Sequence, residues 1–235
     1  MSAADTIAEE LEAAPAGAAS LCDQAYTVLK QRIITNRLPA GSYVDEREIA
    51  LELGMSRTPV REALIRLQSE GFVVMEPRRG VRVVPISPEV MQEVYDVLTG
   101  LESMAAALLA GRRPSAAELA PMRATLDEMA AALADDDVER WLHADERFHR
   151  VLLTLCGNAR LTEAGLRFRD QIARAHLVVS RMHPGPGRST AAHEELYAAL
   201  LAGDAEGARN NHYRQRVRAG HALMDTLKRV GLTNL

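Results

Sequence analysis

The chain has 235 residues, of which 47% are hydrophobic and 26% charged, a balance that fits a globular protein and excludes a disordered one. Aromatic residues make up only 4% while Ala and Leu abound, so the apolar content favours helices over strands. The net charge of -4 is unevenly spread: residues 1–19 carry Asp5, Glu9, Glu10 and Glu12 and no base, residues 20–86 a net +2, and residues 87–235 a net -2. Length alone gives a prior of one or two domains. Two cysteines, Cys22 and Cys156, are too few for a disulfide framework, and no C-x-x-C pair offers a thiolate zinc site. The N-terminus lacks a basic start followed by an apolar stretch. Charges interrupt each apolar run before the roughly 18 residues of a membrane span. The expectation is a cytoplasmic protein with no membrane partner.

In chain order, residues 1–19 are of low complexity and read as a disordered or loosely helical tail. From Ser20 the apolar residues Leu21, Ala25, Val28, Leu29, Ile33 and Ile34 recur at spacings of three and four behind a capping-box-like Ser20/Asp23 start, predicting a helix that Leu38-Pro39-Ala40-Gly41 ends. Two short helices follow, Glu46 to Leu53 and Arg57 to Glu70, joined by Gly54-Met55-Ser56. That pairing matches a helix-turn-helix. The period then switches to two: Phe72 to Met75 and Val81 to Val84 around a turn at Glu76–Gly80 predict a β-hairpin wing, its tip basic through Arg78, Arg79 and Arg82. Ser87-Pro88 reads as an N-cap and first helical residue. Beyond it the spacing predicts helices only, at 88–110, 115–134, 138–156, 159–182, 189–202 and 204–230, separated by short breaks that include Pro184-Gly185-Pro186-Gly187. Such short connections imply an antiparallel bundle. The predicted fold is therefore mainly α: a tail (1–19), a winged helix-turn-helix DNA-binding domain (20–86) and an all-α helical domain (87–235).

On the second helix of the pair, Arg57, Thr58 and Arg61 lie on one side and Val60, Leu64 and Leu67 on the other. Guanidiniums at the first turns of a helix with a buried opposite face suit major-groove reading, since Arg donates two hydrogen bonds to a guanine edge. A helix N-terminus also favours phosphate. A solvated charged face is the plainer alternative, and the turn and wing weigh against it.

These residues carry a family resemblance. Asp45-Glu46-Arg47-Glu48-Ile49-Ala50, Gly54-Met55-Ser56-Arg57-Thr58-Pro59-Val60-Arg61-Glu62-Ala63-Leu64 and the later Leu67 and Glu70-Gly71 resemble the GntR family of bacterial transcription regulators over residues 20–86. Residues from 87 on resemble the FCD domain of its FadR-like branch. The resemblance implies a homodimer that binds a palindromic operator on double-stranded DNA and changes its grip when a small molecule binds. Its DNA contacts fall on Arg47, Ser56, Arg57, Thr58, Pro59, Arg61 and, at the wing tip, Gly80. Arg57 and Arg61 would read base edges, Arg47 a phosphate or outer base, and the Ser56 and Thr58 hydroxyls phosphates.

In the helical domain Asp145 and His149 stand at i and i+4, on one helix face. With His193 and His212 on later helices they would make a first-row metal site, although spacing alone leaves their convergence open. The FCD resemblance implies the same four ligands, through Asp145-x-x-x-His149, His193-Glu194-Glu195-Leu196 and the Gly203-Asp204 segment leading to His212. The ion would be a divalent metal, Zn²⁺, Ni²⁺ or Mn²⁺, and the effector a small organic acid. The chain departs from the family at Leu98, where relatives often carry an Arg four residues before the position of Glu102. His176 and Arg174 are open between a cavity-facing and a structural role. Trp141, Phe148, Met104, Met122 and Met129 read as core, and Cys156 as a small buried apolar residue. Two alternatives stay open: an ion that only ties helices together, and a metal-dependent enzyme, against which no nucleophile or general base accompanies the site.

Overall fold

The computed structural model describes residues 20–179 and 186–229. The expected tail, His183, the Pro184-Gly185 pair and residues 230–235 lie outside them. The described residues form nine helices and three strands, in two compact units divided between Ile86 and Ser87.

The first unit begins with α1 (Leu21–Ile34), started by the expected capping box, in which Ser20 Oγ accepts from the Asp23 amide and Asp23 accepts from Ser20. It ends before Pro39 is reached, because Asn36 turns left-handed at φ 60° just past the last turn. A strand that the sequence reading did not contain comes next, β1 (Tyr43–Val44), followed by α2 (Glu46–Glu52) and α3 (Arg57–Ser69). Between these two helices Gly54 adopts φ +63°, and a Cβ there would meet nothing within 4 Å. The glycine therefore serves backbone conformation, not close packing. β2 (Val73–Glu76) and β3 (Gly80–Val83) form the hairpin, with Met75 opposite Val81 and Glu76 opposite Gly80. β1 pairs antiparallel with the other side of β3, so the sheet order is β1-β3-β2. Val28, Leu29, Ile33, Ile49, Leu53, Val60, Leu64, Leu67, Phe72, Val81 and Val83 fill one core between helices and sheet.

The second unit is a bundle of α4 (Pro88–Gly111), α5 (Ala120–Ala134), α6 (Val138–Leu155), α7 (Ala159–Val179), α8 (Pro186–Ala202) and α9 (Ala205–Arg229). Two boundaries differ from expectation, each for a proline. α5 starts at Ala120, not 115: Ser115 and Glu118 close a separate capped turn, and Pro121 has no amide to continue a ladder from it. α8 starts at Pro186, where a fixed φ suits the first helical position instead of breaking the helix.

α4 lies along α9 and also packs on α7. Against the expectation drawn from interrupting charges, α4 is long and apolar enough to cross a membrane. Its Leu98, Ala105, Ala106, Leu109 and Ala110 are buried, in company with Thr99, Glu102 and Ser103, as in a core helix of a bundle. Trp141 and Phe148 are core as expected, as are Met122 and Met129, and Trp141 Nε1 donates to Thr190 Oγ1 at 2.8 Å. Cys156 is buried at the end of α6. Met104 is not core; it is 48% exposed on α4.

Candidate metal centre and nucleic-acid interface

In the first unit, Arg47 of α2, Arg57 and Arg61 of α3 and Gly80 of β3 line one groove of about 490 Å³, together with Tyr43, Arg79 and the acids Asp45, Glu46 and Glu48. Four of the seven residues expected to meet DNA thus share one surface. Ser56 is exposed beside them as the N-cap of α3, and its hydroxyl makes no capping hydrogen bond. Thr58 is exposed on the first turn of the same helix. Arg61 has no ion pair among the described residues. Arg57 has one exposed contact, 3.5 Å from Glu46, of the kind a phosphate replaces at little cost.

Two expectations need correction here. Pro59 is buried, because the third residue of α3 faces the core, so its ring shapes the first turn and offers no side-chain surface to DNA. Arg82 does not belong to the basic tip: it lies on β3 with Nε 2.7 Å from Glu76, which also accepts from Tyr43 Oη. The exposed tip is Arg78 and Arg79, turned by the left-handed residues Arg78 and Gly80.

In the second unit, five helices bring ionisable side chains to one buried place. Asp145 and His149 come from α6, His193 from α8, His212 and Arg216 from α9, Glu102 from α4 and Arg169 from α7. None is more than 5% exposed. The expected four-ligand set is divided into two triads that share His149: Asp145, His149 and His193 on one side, Glu102, His149 and His212 on the other. Asp145 Oδ1 is 2.9 Å from His193 Nε2, and Oδ2 is 3.7 Å from His149 Nε2. Glu102 Oε2 is 3.1 Å from His149 Nδ1, 3.0 Å from His212 Nε2 and 3.2 Å from Arg216 Nε. Arg169 Nη1 is 3.6 Å from Glu102 Oε1, and its other amino group contacts Glu146. Phe148 stacks on the His193 ring at 4.3 Å.

Glu102, Arg169 and Arg216 were absent from the sequence-based site. A lone acid at a core-facing position of α4, spaced four from Leu98 and three and four from Ala105 and Ala106, was the signal available for Glu102. Nothing distinguished the two arginines from others. Of the remaining candidates, His176 Nε2 is 3.1 Å from the Tyr95 hydroxyl, while His143 and His221 are exposed. Burial pushes Arg174 down to about 10.

Burial opposes ionisation of Asp145, but His149, His193 and Arg169 outweigh it and hold the carboxyl well below its ordinary range. Glu102 is likewise opposed by burial and held down by His149, Arg216 and Arg169. Burial is the first cause that depresses His149 and His212, against the opposing pull of Glu102, and so favours the neutral ring that can ligate. An ionised carboxylate among neutral imidazoles is the donor set a divalent first-row metal takes. Nε2 of His149 and Nδ1 of His212 are buried without a hydrogen bond, as ligand atoms need to be. The residues fit a metal.

The depressed histidines also set a pH dependence for metal-free protein. Below about pH 6.5 the unfolded chain takes up protons that buried His149 and His212 refuse. Stability is therefore full above that pH and falls as pH drops through it. Urea midpoints followed by Trp141, the one tryptophan, should decline between pH 7 and 5 in wild type and much less in a His149→Gln/His212→Gln protein. A flat wild-type profile would contradict the assignment.

A winged helix-turn-helix with an arginine-lined groove, followed by a helical bundle, is an architecture of DNA-binding transcriptional regulators. The model of bacterial regulatory proteins, gntR family, matches residues 21–83, and that of the FCD domain matches 93–214. The chain belongs to the gntR family and carries an FCD domain. It is 41% identical over 146 residues to an HTH-type transcriptional regulator in the TAR-I ttuE-ttuC' intergenic region of Agrobacterium vitis, covering 61% of this chain and 85% of that one. It is 30% identical to the gluconate operon transcriptional repressor of Bacillus subtilis, over 53% of this chain and 51% of that protein. The structure of E. coli McbR/YncC superposes with a TM-score of 0.71 at 25% identity, covering 88% of this chain and 98% of the other.

Proposed function

We propose that this regulator is a cytoplasmic homodimeric repressor whose hold on its operator is controlled by a small organic acid at a divalent-metal site in the helical unit. The observation that carries the reading is the buried cluster of two carboxylates and three imidazoles, whose ligand-type atoms lie within 4.8 Å of one another in each of two triads. Asp145, His149 and His193 would hold the ion, with His212 beside them, and Zn²⁺, Ni²⁺ and Mn²⁺ all suit this set. When bound, the ion supplies positive charge to which an effector carboxylate can be drawn. Repression is supported by a relative described as a gluconate operon repressor.

Dimerisation is supported by Val90, Val97 and Met104, which are 36%, 47% and 48% exposed at intervals of seven along α4, with Leu108 one turn on. A Val97→Glu/Met104→Glu protein should sediment as a monomer where wild type is a dimer. Equal sedimentation of the two would refute this face.

For the metal, elemental analysis should find about one equivalent in wild type and a small fraction of it in His193→Ala. Undiminished metal in His193→Ala and in His212→Ala would sink the site. A panel of small carboxylates should then raise the melting temperature of wild-type protein and leave metal-free protein unchanged. If metal is bound and no acid shifts melting or operator binding, the ion is architectural and the sensing reading fails.

A further inference from the structure

Glu102 stands with His149 and His212 much as Asp145 stands with His149 and His193, and on distance alone it reads as one more metal ligand. We infer that Glu102 is instead a positioning residue: one carboxylate that fixes the tautomers of two rings, so that His149 presents Nε2 toward Asp145 and His212 presents Nδ1. The inference deepens the metal reading above and rests on it.

Charge separates the two triads. Glu102 already faces Arg216 at 3.2 Å and Arg169 at 3.6 Å, and these guanidiniums are 1% and 0% exposed. Arg stays protonated in a protein, so a dication on Glu102 would stand among two buried positive charges with little solvent to screen them. Asp145 has only imidazoles at ion-pair distance among the described residues. The cation belongs on the Asp145 side.

Hydrogen-bond chemistry then assigns the protons. An ionised carboxylate only accepts, and a neutral imidazole carries one N–H. The same Glu102 oxygen hydrogen-bonds His212 Nε2 at 3.0 Å and stands 3.1 Å from His149 Nδ1 without an aligned hydrogen bond. A nitrogen lone pair set against a carboxylate oxygen that close is repelled, so the protons belong on those two nitrogens. The lone pairs are left on His149 Nε2, which looks at Asp145, and on His212 Nδ1, which is buried with no hydrogen bond. His149 is thereby held in the tautomer that free imidazole disfavours in water. A carboxylate behind a ligating histidine fixes ring orientation and raises basicity, and losing one weakens metal binding about 10–100-fold.

The test uses the full chain with ¹⁵N-labelled histidine. Two-bond ¹H–¹⁵N spectra of metal-free and Zn²⁺-loaded protein should show His149 protonated on Nδ1 and His212 on Nε2. His149 protonated on Nε2 overturns the inference. Zn²⁺ titration of Glu102→Gln should retain the wild-type stoichiometry with affinity about 10–100-fold weaker. Wild-type affinity, or loss of the equivalent altogether, overturns it too, the second because a ligand would have been removed. If Glu102→Gln does not fold, the wild-type spectra decide. Full metal content in His193→Ala is a separate result: it removes the metal reading itself, and this inference with it.

Discussion

Replacing Arg169 by methionine is expected to destabilise the helical unit by about 3–5 kcal/mol, one of the two largest effects anticipated for a single substitution in this protein. Arg169 is fully buried on α7 and touches Glu102 of α4 and Glu146 of α6. Burial raises the Glu146 carboxyl, and Arg169 is the first of the neighbours that oppose the rise. Methionine fills much of the volume but takes one countercharge from each carboxylate, leaving Glu102 with Arg216 and Glu146 with the half-exposed Arg150. That penalty is larger than the worth of the intact pairs, because the charges left behind stay desolvated. Trp141 reports the unfolding of this unit specifically, so urea curves by fluorescence read the change directly. Arg147→Met is the control: its pair with Glu128 is 47% and 38% exposed, and its loss should move stability by less than about 1 kcal/mol. Equal small effects in the two variants would show that the Arg169 cluster does not hold the bundle together.

The second large effect concerns DNA. Arg61 lines the groove it shares with Arg47, Arg57 and Gly80 and has no ion pair among the described residues. Arg61→Ala should lose about 1–3 kcal/mol on the preferred operator, roughly 5- to 150-fold in affinity, and relax preference at one base position. Arg78→Ala, at the exposed wing turn, should instead weaken binding evenly across sequences and lower the salt slope by about one. Operators selected from random DNA pools, then titrated against each protein at several salt concentrations, distinguish the two. Unchanged discrimination by Arg61→Ala would remove it from the base-reading set.

Much of this molecule was legible as sequence because its signals are local. The capping box at Ser20, the Gly54 turn between two short amphipathic helices, the switch of period at Phe72 and the Ser87-Pro88 start each depend on residues within one or two turns of each other. Backbone geometry and side-chain periodicity operate at that range, so nine helices and the hairpin followed from order alone among the described residues. The i, i+4 pair of Asp145 and His149 was legible for the same reason. The strand at Tyr43–Val44 was not, since two residues carry no period and pair only because β3 offers its free edge.

What the sequence by itself determined, then, is the helix-turn-helix with its arginines in order and the short list of ligand-type residues. The tertiary structure decided how that list is used. Glu102 and Asp145 are 43 positions apart, and Glu102 and His212 are 110; only the packing of α4, α6, α7 and α9 sets one carboxylate against two rings and two arginines. Their proximity comes from the shared apolar core around Leu109, Leu126, Leu152 and Leu196, residues with no chemistry of their own in the site. Hydrophobic burial is non-directional, so which ionisable groups it brings together cannot be read from spacing. Once gathered out of water, those groups must satisfy one another's charges and hydrogen bonds, and that requirement divides the expected four-ligand set about His149.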